Sequence, residues 1–273
     1  MINRIPSGTY YKPKEVQNKL GITESALRNL VRTEQLHKIT PPGKKHTVYL
    51  REEVDSFLLR WLAFLSTEKP KGIEFMKATR EDQEEEYSLA KHIFGPATHD
   101  LETRYKWFDK NSETDFVVKH NDKIVAYMNV LPVKHQVIMD FMEGKIRGWE
   151  ITSDDVEKPE PGKPIEYIIM AMATTPDETE QTRKEYSYVL LRGMEEMLEE
   201  MGEKGLNITN VYATSATTSG IGILMHAGFL ETGKRFGKRI AFALDVKQAR
   251  LPVLRRYQEA YSKWEKKNEG PSK

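Results

Sequence analysis

From Ile73 onward, short apolar runs alternate with longer segments that carry apolar residues on one side only. "DFVVKHNDKIVAYMNVLPVK" places two apolar runs on either side of His120-Asn121-Asp122-Lys123, which predicts a β-hairpin. "IEFMKAT" predicts a strand before it, then "REDQEEEYSLAKHIFG" a helix closed by Gly95 and "DLETRYKWF" a second helix. "VIMDFMEGKI" extends the apolar region as a strand-like run. The acidic, proline-rich "TSDDVEKPEPGKP" that follows predicts a surface loop. "IEYIIMAMATTP" is almost continuously apolar, as a strand covered on both faces should be. Tyr186, Val189, Leu190, Met194, Met197, Leu198 and Met201 then recur at helical spacing. "LNITNVYATSA" predicts another strand, "TTSGIGILMHAGF" a short helix and "FLETGKRFGKRIAFALDV" a final hairpin. Leu254, Tyr257, Tyr261 and Trp264, three and four apart, predict a last helix that packs on its own domain.

The first part of the chain has a different rhythm. Pro13 suits the first turn of a helix ending near Leu20, and Gly21 tolerates the left-handed conformation of a helix end. Thr23 is placed to cap a second helix, Glu24 to Arg32, whose buried stripe is Ala26, Leu27, Leu30 and Val31. Its opposite side carries Glu24, Ser25, Arg28, Asn29 and Arg32. Between Leu36 and Leu50, two strand-like pieces flank Pro-Pro-Gly-Lys-Lys, a hairpin with a basic tip. "REEVDSFLLRWLAFL" predicts an amphipathic helix, with Trp61 to Leu65 a stripe for packing or for a dimer contact. Pro, Gly and charge in Ser66 to Gly72 mark a boundary.

Charge separates the two parts. Residues 1–66 hold eleven Lys and Arg against six acids, a local excess of +5 in a chain whose net charge is only +1. A basic segment on a mildly acidic body suits a polyanionic partner for the first part alone. The chain has no cysteine, which removes disulfides, thiolate metal sites and a cysteine nucleophile, and is compatible with a reducing cytoplasm. The seven histidines lack ligand spacing, so no metal site is expected. No apolar run reaches the roughly 20 residues of a membrane helix, and "MINRIPSGTYY" lacks a signal-peptide core.

The order helix, turn, helix, basic wing, helix in "YYKPKEVQNKLGITESALRNLV" and "GKKHTVYLREEVDSFL" resembles the MerR-like and excisionase-like winged helix-turn-helix. That resemblance implies a second helix in the major groove and a wing on flanking phosphates. It makes Ser25, Arg28, Asn29 and Arg32 the reading or positioning side chains and Lys44, Lys45 and His46 the wing contacts. It also implies double-stranded DNA as partner and a homodimer on two half-sites.

The order of elements over residues 73–246 resembles the GNAT acetyltransferase superfamily, most specifically in "SGIGILMHAGFLETGKRFGKRIAFAL". The resemblance implies acetyl-CoA, with its pyrophosphate on the N-terminus of the helix that follows the apolar strand. Anchored on the helix, the family's glycine positions fall on Tyr186 and Tyr188, and Asp177, Glu178 and Glu180 crowd the preceding turn. Glycine lets a phosphate approach the backbone, whereas tyrosine does not. Arg183 and Ser187 remain as phosphate partners, and the two tyrosines are expected to occupy the cofactor's space. Where the family often has a tyrosine acid, this chain has Leu224, followed by Met225 and His226. Glu166 and Tyr167 lie near where some members place a general base.

The expectation is therefore an α+β chain of two domains. A winged helix-turn-helix at 1–66 precedes a GNAT-like mixed α/β domain at 73–246 with a mostly antiparallel twisted sheet, and 247–273 form a C-terminal helix and tail. The expected function is a cytoplasmic DNA-binding transcriptional regulator whose GNAT-like domain senses a small molecule or acyl-CoA, or dimerises, and does not catalyse. The alternatives are an active acetyl-CoA-dependent N-acetyltransferase targeted by its DNA-binding module, and an excisionase-like architectural protein.

Overall fold

The computed structural model describes residues 9–20, 22, 24–32, 35–41, 46–55, 57, 71–249 and 252–268. Gly21, Thr23, Lys44, Lys45 and Trp61 to Leu65 lie outside the described residues.

The N-terminal part places β1 (Tyr10–Tyr11) on β3 (Val48–Leu50), which also pairs with β2 (Lys38–Ile39), all antiparallel. Helices α1 (Pro13–Leu20) and α2 (Glu24–Arg32) bury Val16, Leu20, Leu27 and Leu30 against Leu36, Tyr49 and Val54. Residues 51–55 are helical, as their pattern predicts. Tyr11, a strand the apolar pattern does not reveal, is held by a hydrogen bond to Asp55 and by Arg51 over its ring.

A seven-stranded sheet organises the rest. Strands β4 (Ile73–Lys77), β5 (Asp115–His120) and β6 (Lys123–Pro132) form an antiparallel meander. Asn121 and Asp122 both take positive φ (52° and 62°), the conformation of a two-residue hairpin turn. Next comes β7 (Pro164–Thr174), antiparallel to β6, and then β8 (Asn207–Ser215), parallel to β7. The far edge is β10 (Arg239–Asp245) and β9 (Leu230–Phe236), giving the order β4-β5-β6-β7-β8-β10-β9. Nine consecutive residues of β6, Ile124 to Pro132, are buried, because helices cover both faces of the sheet.

On one face lie α6 (Glu180–Glu203), α7 (Thr218–His226) and α8 (Pro252–Asn268), over a core that includes Met128, Val130, Tyr167 and Phe242. On the other lie α3 (Asp82–Phe94), α4 (Leu101–Lys110) and α5 (His135–Met142). The run expected to be strand-like is thus a helix. Ile138, Phe141 and Met142 are buried at spacings of three and four, the helical period that overrides the local apolar density. α8 packs along α6, where Gly202 lets it approach closely: a Cβ there would lie 2.6 Å from the Tyr257 carbonyl oxygen.

The two parts touch. α2 lies against α7 and β9, and Ile22 packs on both apolar clusters. Arg32 forms an ion pair of 2.7 Å with Glu231 on β9. Among the described residues no helix is long and apolar enough to cross a membrane.

Candidate functional site

The parallel pair β7–β8 is paired only as far as Ile169 and Ala213. On its other side β7 continues beside β6 to Thr174, and the register shifts so that Met170 is an extra residue between Ile169 and Ala171. A bulge of this kind re-aims the strand and ends pairing. Residues 170–174 therefore present a backbone edge to β8 that no strand fills, and their side chains are only half-buried. The gap opens at the C-terminal ends of two parallel strands, the usual position of a ligand crevice in such sheets. Helix N-termini follow both strands: α6 begins at Glu180 after β7, and α7 at Thr218 after β8.

At the inner end of the gap, an apolar cavity of about 40 Å³ adjoins Ile169, Tyr167, Val211, Met194, Met197 and Phe229. Its lining is apolar and offers water few hydrogen-bond partners.

The first turn of α6 is capped by Thr179, which accepts from the Thr182 N–H at 3.2 Å. Asp177 is paired with His92 and Glu180 with Lys184, so two of the three acids at this turn have cationic or protonatable neighbours. Arg183 is half-buried and its Nε has no hydrogen-bond partner. Ser187 gives its hydroxyl proton to the Arg183 carbonyl at 2.8 Å, so that donor is committed to the helix itself.

Both tyrosines are buried, but Tyr186 is not directed into the gap. Its hydroxyl lies 2.9 Å from His120 Nδ1, at the end of β5, two strands away from β7. The Tyr188 hydroxyl accepts from Arg192 at 3.2 Å. Hence the helix start lacks glycine but Tyr186 leaves the gap itself open.

The other expected acid–base residues are differently placed. Glu166 is saturated: it accepts from Asn210 at 2.9 Å, from the Tyr212 hydroxyl at 3.0 Å and lies 2.5 Å from His135 Nδ1. It ties β7 to β8 and α5. Tyr167 is buried, and burial pushes its phenol well above the usual range. Leu224 is buried and has no proton to give, and the side chain of His226 lies outside the described residues.

Two features had no signal in the sequence. His99, between α3 and α4, is buried with its ring 4.3 Å from that of Trp107 and Nε2 2.5 Å from the Gly148 carbonyl. Burial pulls its pKa down to about 4, so the ring is neutral. Gly148 in turn abuts Met170, the bulge residue: an added Cβ would lie 3.0 Å from Met170 Cε. The exposed Trp149 follows it at the surface. The second feature is a buried polar cluster behind the bulge. Asn129, paired with Ala171, donates through Nδ2 to Glu86 at 2.7 Å and to Asp115 at 2.5 Å. Arg104 donates to Glu86 at 2.7 Å, and Gln83 to Asp115 at 3.3 Å. Two buried acids are thus bridged by Asn129, with one guanidinium paired to Glu86 and acting on Asp115 through its charge. Burial, then the Asp115 charge, push Glu86 up to about 8. "EDQEEEYS" reads as a solvated helix face, and only the fold turns Glu86 inward.

In the N-terminal part, Ser25 and Arg28 are exposed, and Arg28 pairs with Glu24. Asn29 is buried and Arg32 is engaged by Glu231. His46 is exposed. The described residues hold no group of His, Asp and Glu arranged for a metal ion.

No family model and no curated protein matches the sequence. Among solved structures, the loading GNATL domain of CurA from Lyngbya majuscula is similar at 14% identity and a TM-score of 0.42, over 64% of this chain and 98% of that one. The ribosomal-protein-S18-alanine N-acetyltransferase from Escherichia coli is similar at 15% identity and a TM-score of 0.38, over 63% and 93%. Arabidopsis thaliana Naa50, in complex with the bisubstrate analogue CoA-Ac-MVNAL, is similar at 12% identity and a TM-score of 0.39, over 64% and 99%.

Proposed function

We propose that the gap between β7 and β8 binds an acyl-CoA and that the body is an acyltransferase of the GNAT type acting on an amine. The observation that supports this most is the unpaired edge of β7 from Met170 to Thr174. Five extended residues span roughly 17 Å and offer alternating N–H and C=O groups. An extended ligand with secondary amides, such as the pantetheine arm of CoA, can pair with them as an added strand would. The bound thioester supplies an activated acyl carbonyl.

The chain's residues do the rest. The bulge at Met170 marks where the gap begins, and on this reading the apolar cavity beside Ile169 receives the acyl end. Arg183 stands in for the missing glycine cradle as the phosphate partner. Without a glycine-lined turn, the pyrophosphate depends on that cation more than on backbone N–H groups. Replacing Arg183 with Glu should therefore weaken acetyl-CoA binding by about tenfold or more, the worth of a charged hydrogen bond. Ser187→Ala should change affinity less than about twofold, because its donor is already used within the helix. Titration calorimetry of both variants checks this, and equal losses would contradict it.

A second reading, of the N-terminal part, is favoured by α2. Its outer arc carries Ser25, Arg28, Asn29 and Arg32 on a module with its own apolar core, and a three-stranded sheet ends near the exposed His46. On this reading residues 1–66 form a winged helix-turn-helix that holds duplex DNA, and the body senses acyl-CoA as a regulatory ligand. Filter retention of duplex DNA at low salt tests it, since phosphate contacts dominate there.

A further inference from the structure

At 100° per residue, Glu24, Arg28, Arg32, Ser25 and Asn29 fall within an arc of about 140° on α2. Leu27 and Leu30 face the other way, into the module's own core. The body occupies part of the outer arc. Arg32 is paired with Glu231, whose side chain is only 10% exposed, and Arg235 closes on the same carboxylate at 3.1 Å. Arg32 and Arg235 together hold the Glu231 carboxyl below its ordinary range. Asn29 is buried, and Ile22, just ahead of α2, packs on the body's core as well as on its own.

A helix with its side chains is about 10–12 Å across, and a major groove is about 12 Å wide. A helix seated in the groove has no room for a sheet edge on the same arc. We propose that the contact between α2 and the α7/β9 edge is autoinhibitory, so that the N-terminal module takes duplex DNA only after α2 leaves the body. This rests on the second reading above, that α2 is a DNA-contacting helix. Arg32 then has two mutually exclusive partners of the same charge, the Glu231 carboxylate and a DNA phosphate. The affinity seen for DNA is lowered by the fraction of molecules that are docked. α7 links this edge to the ligand gap, since it starts at the end of β8.

The test uses the full chain, and its lack of cysteine makes paired labelling simple. Lys14→Cys and Lys238→Cys, both at exposed positions, carry a donor and an acceptor dye that report docking. Anisotropy of a labelled 24-bp duplex of mixed sequence at low salt reports binding. Glu231→Gln removes the pair without changing shape. Glu203→Gln makes the same charge change at the end of α6, whose neighbour Lys204 pairs with Glu113 beyond the opposite sheet edge. The expected result is lower energy transfer and about tenfold tighter DNA binding for Glu231→Gln, with neither change for Glu203→Gln. Lower transfer with unchanged affinity would overturn the proposal. So would weaker binding, which would mean that the docked α2 and the basic β9–β10 hairpin form one DNA surface. If Glu231→Gln leaves transfer unchanged, Glu231→Arg brings three cations together, and persistence of docking in that variant also overturns it. If no variant binds the duplex although transfer falls on release, the DNA reading fails while the docking contact stands.

Discussion

Arg104→Met should destabilise the protein by about 3–5 kcal/mol at pH 8 and by far less at pH 5. Among the described residues Arg104 is the cation that pairs with the buried Glu86, and its charge also acts to lower the pKa of the neighbouring buried Asp115, which Asn129 links to Glu86. Removing it leaves two acids in the core with only Asn129, Gln83 and Thr114 to donate to them. The sign with pH follows from proton binding. In the folded wild type, Glu86 is raised above its ordinary range to about 8, so the folded state holds a proton that the unfolded chain has released. Stability therefore falls as pH rises through that window and levels off above it. Without Arg104 both carboxyls rise further and the slope steepens. Glu86→Gln, by contrast, should match the wild type near pH 5 and exceed it at pH 8, because it leaves Asp115 balanced by Arg104. Urea unfolding at both pH values checks all three proteins. A pH-independent loss in Arg104→Met would show that packing, and not charge, holds this cluster.

Gly193→Ala should cost about 2 kcal/mol or more, against the helix-propensity gain of about 1 kcal/mol that alanine ordinarily brings. Gly193 sits inside α6, where an added Cβ would lie 2.0 Å from Cγ of Phe75 on β4. Phe75 cannot simply step aside, since it stacks on Phe116 at 5.6 Å between ring centres. The two changes are coupled: Gly193→Ala in a Phe75→Leu background should lose much less than in the wild type. Gly222→Ala provides the contrast. Its Cβ would meet nothing within 4 Å, so the propensity gain should appear undiminished. Thermal unfolding of the set separates these outcomes, and additive losses would mean that α6 does not rest on β4 as described.

The long-period features of the chain were legible in the sequence. The hairpin at Asn121-Asp122, the apolar β7 and the buried stripe of α6 follow from spacing alone, and Val189, Leu190, Met197, Leu198 and Met201 are all buried. Local density misled where it outvoted period, as in Val137 to Ile146, where α5 stands in place of a strand-like run. The candidate site was less legible because it is made of register. The extra residue at Met170 and the end of pairing at Ile169 are relations between strands, invisible along one of them. Glu86 and His99 carry no mark of burial in their neighbours, yet tertiary packing makes one a raised acid and the other a neutral base. The spacing that put Tyr186 and Tyr188 at the cofactor positions of α6 left their direction open, and Tyr186 turns to His120.

Titration of the full chain with acetyl-CoA by calorimetry tests the central claim most directly. The account predicts saturable one-to-one binding at micromolar to submillimolar concentration, weakened by Arg183→Glu and spared by Ser187→Ala. Absence of heat at millimolar acetyl-CoA, together with no protection against thermal unfolding, would contradict it.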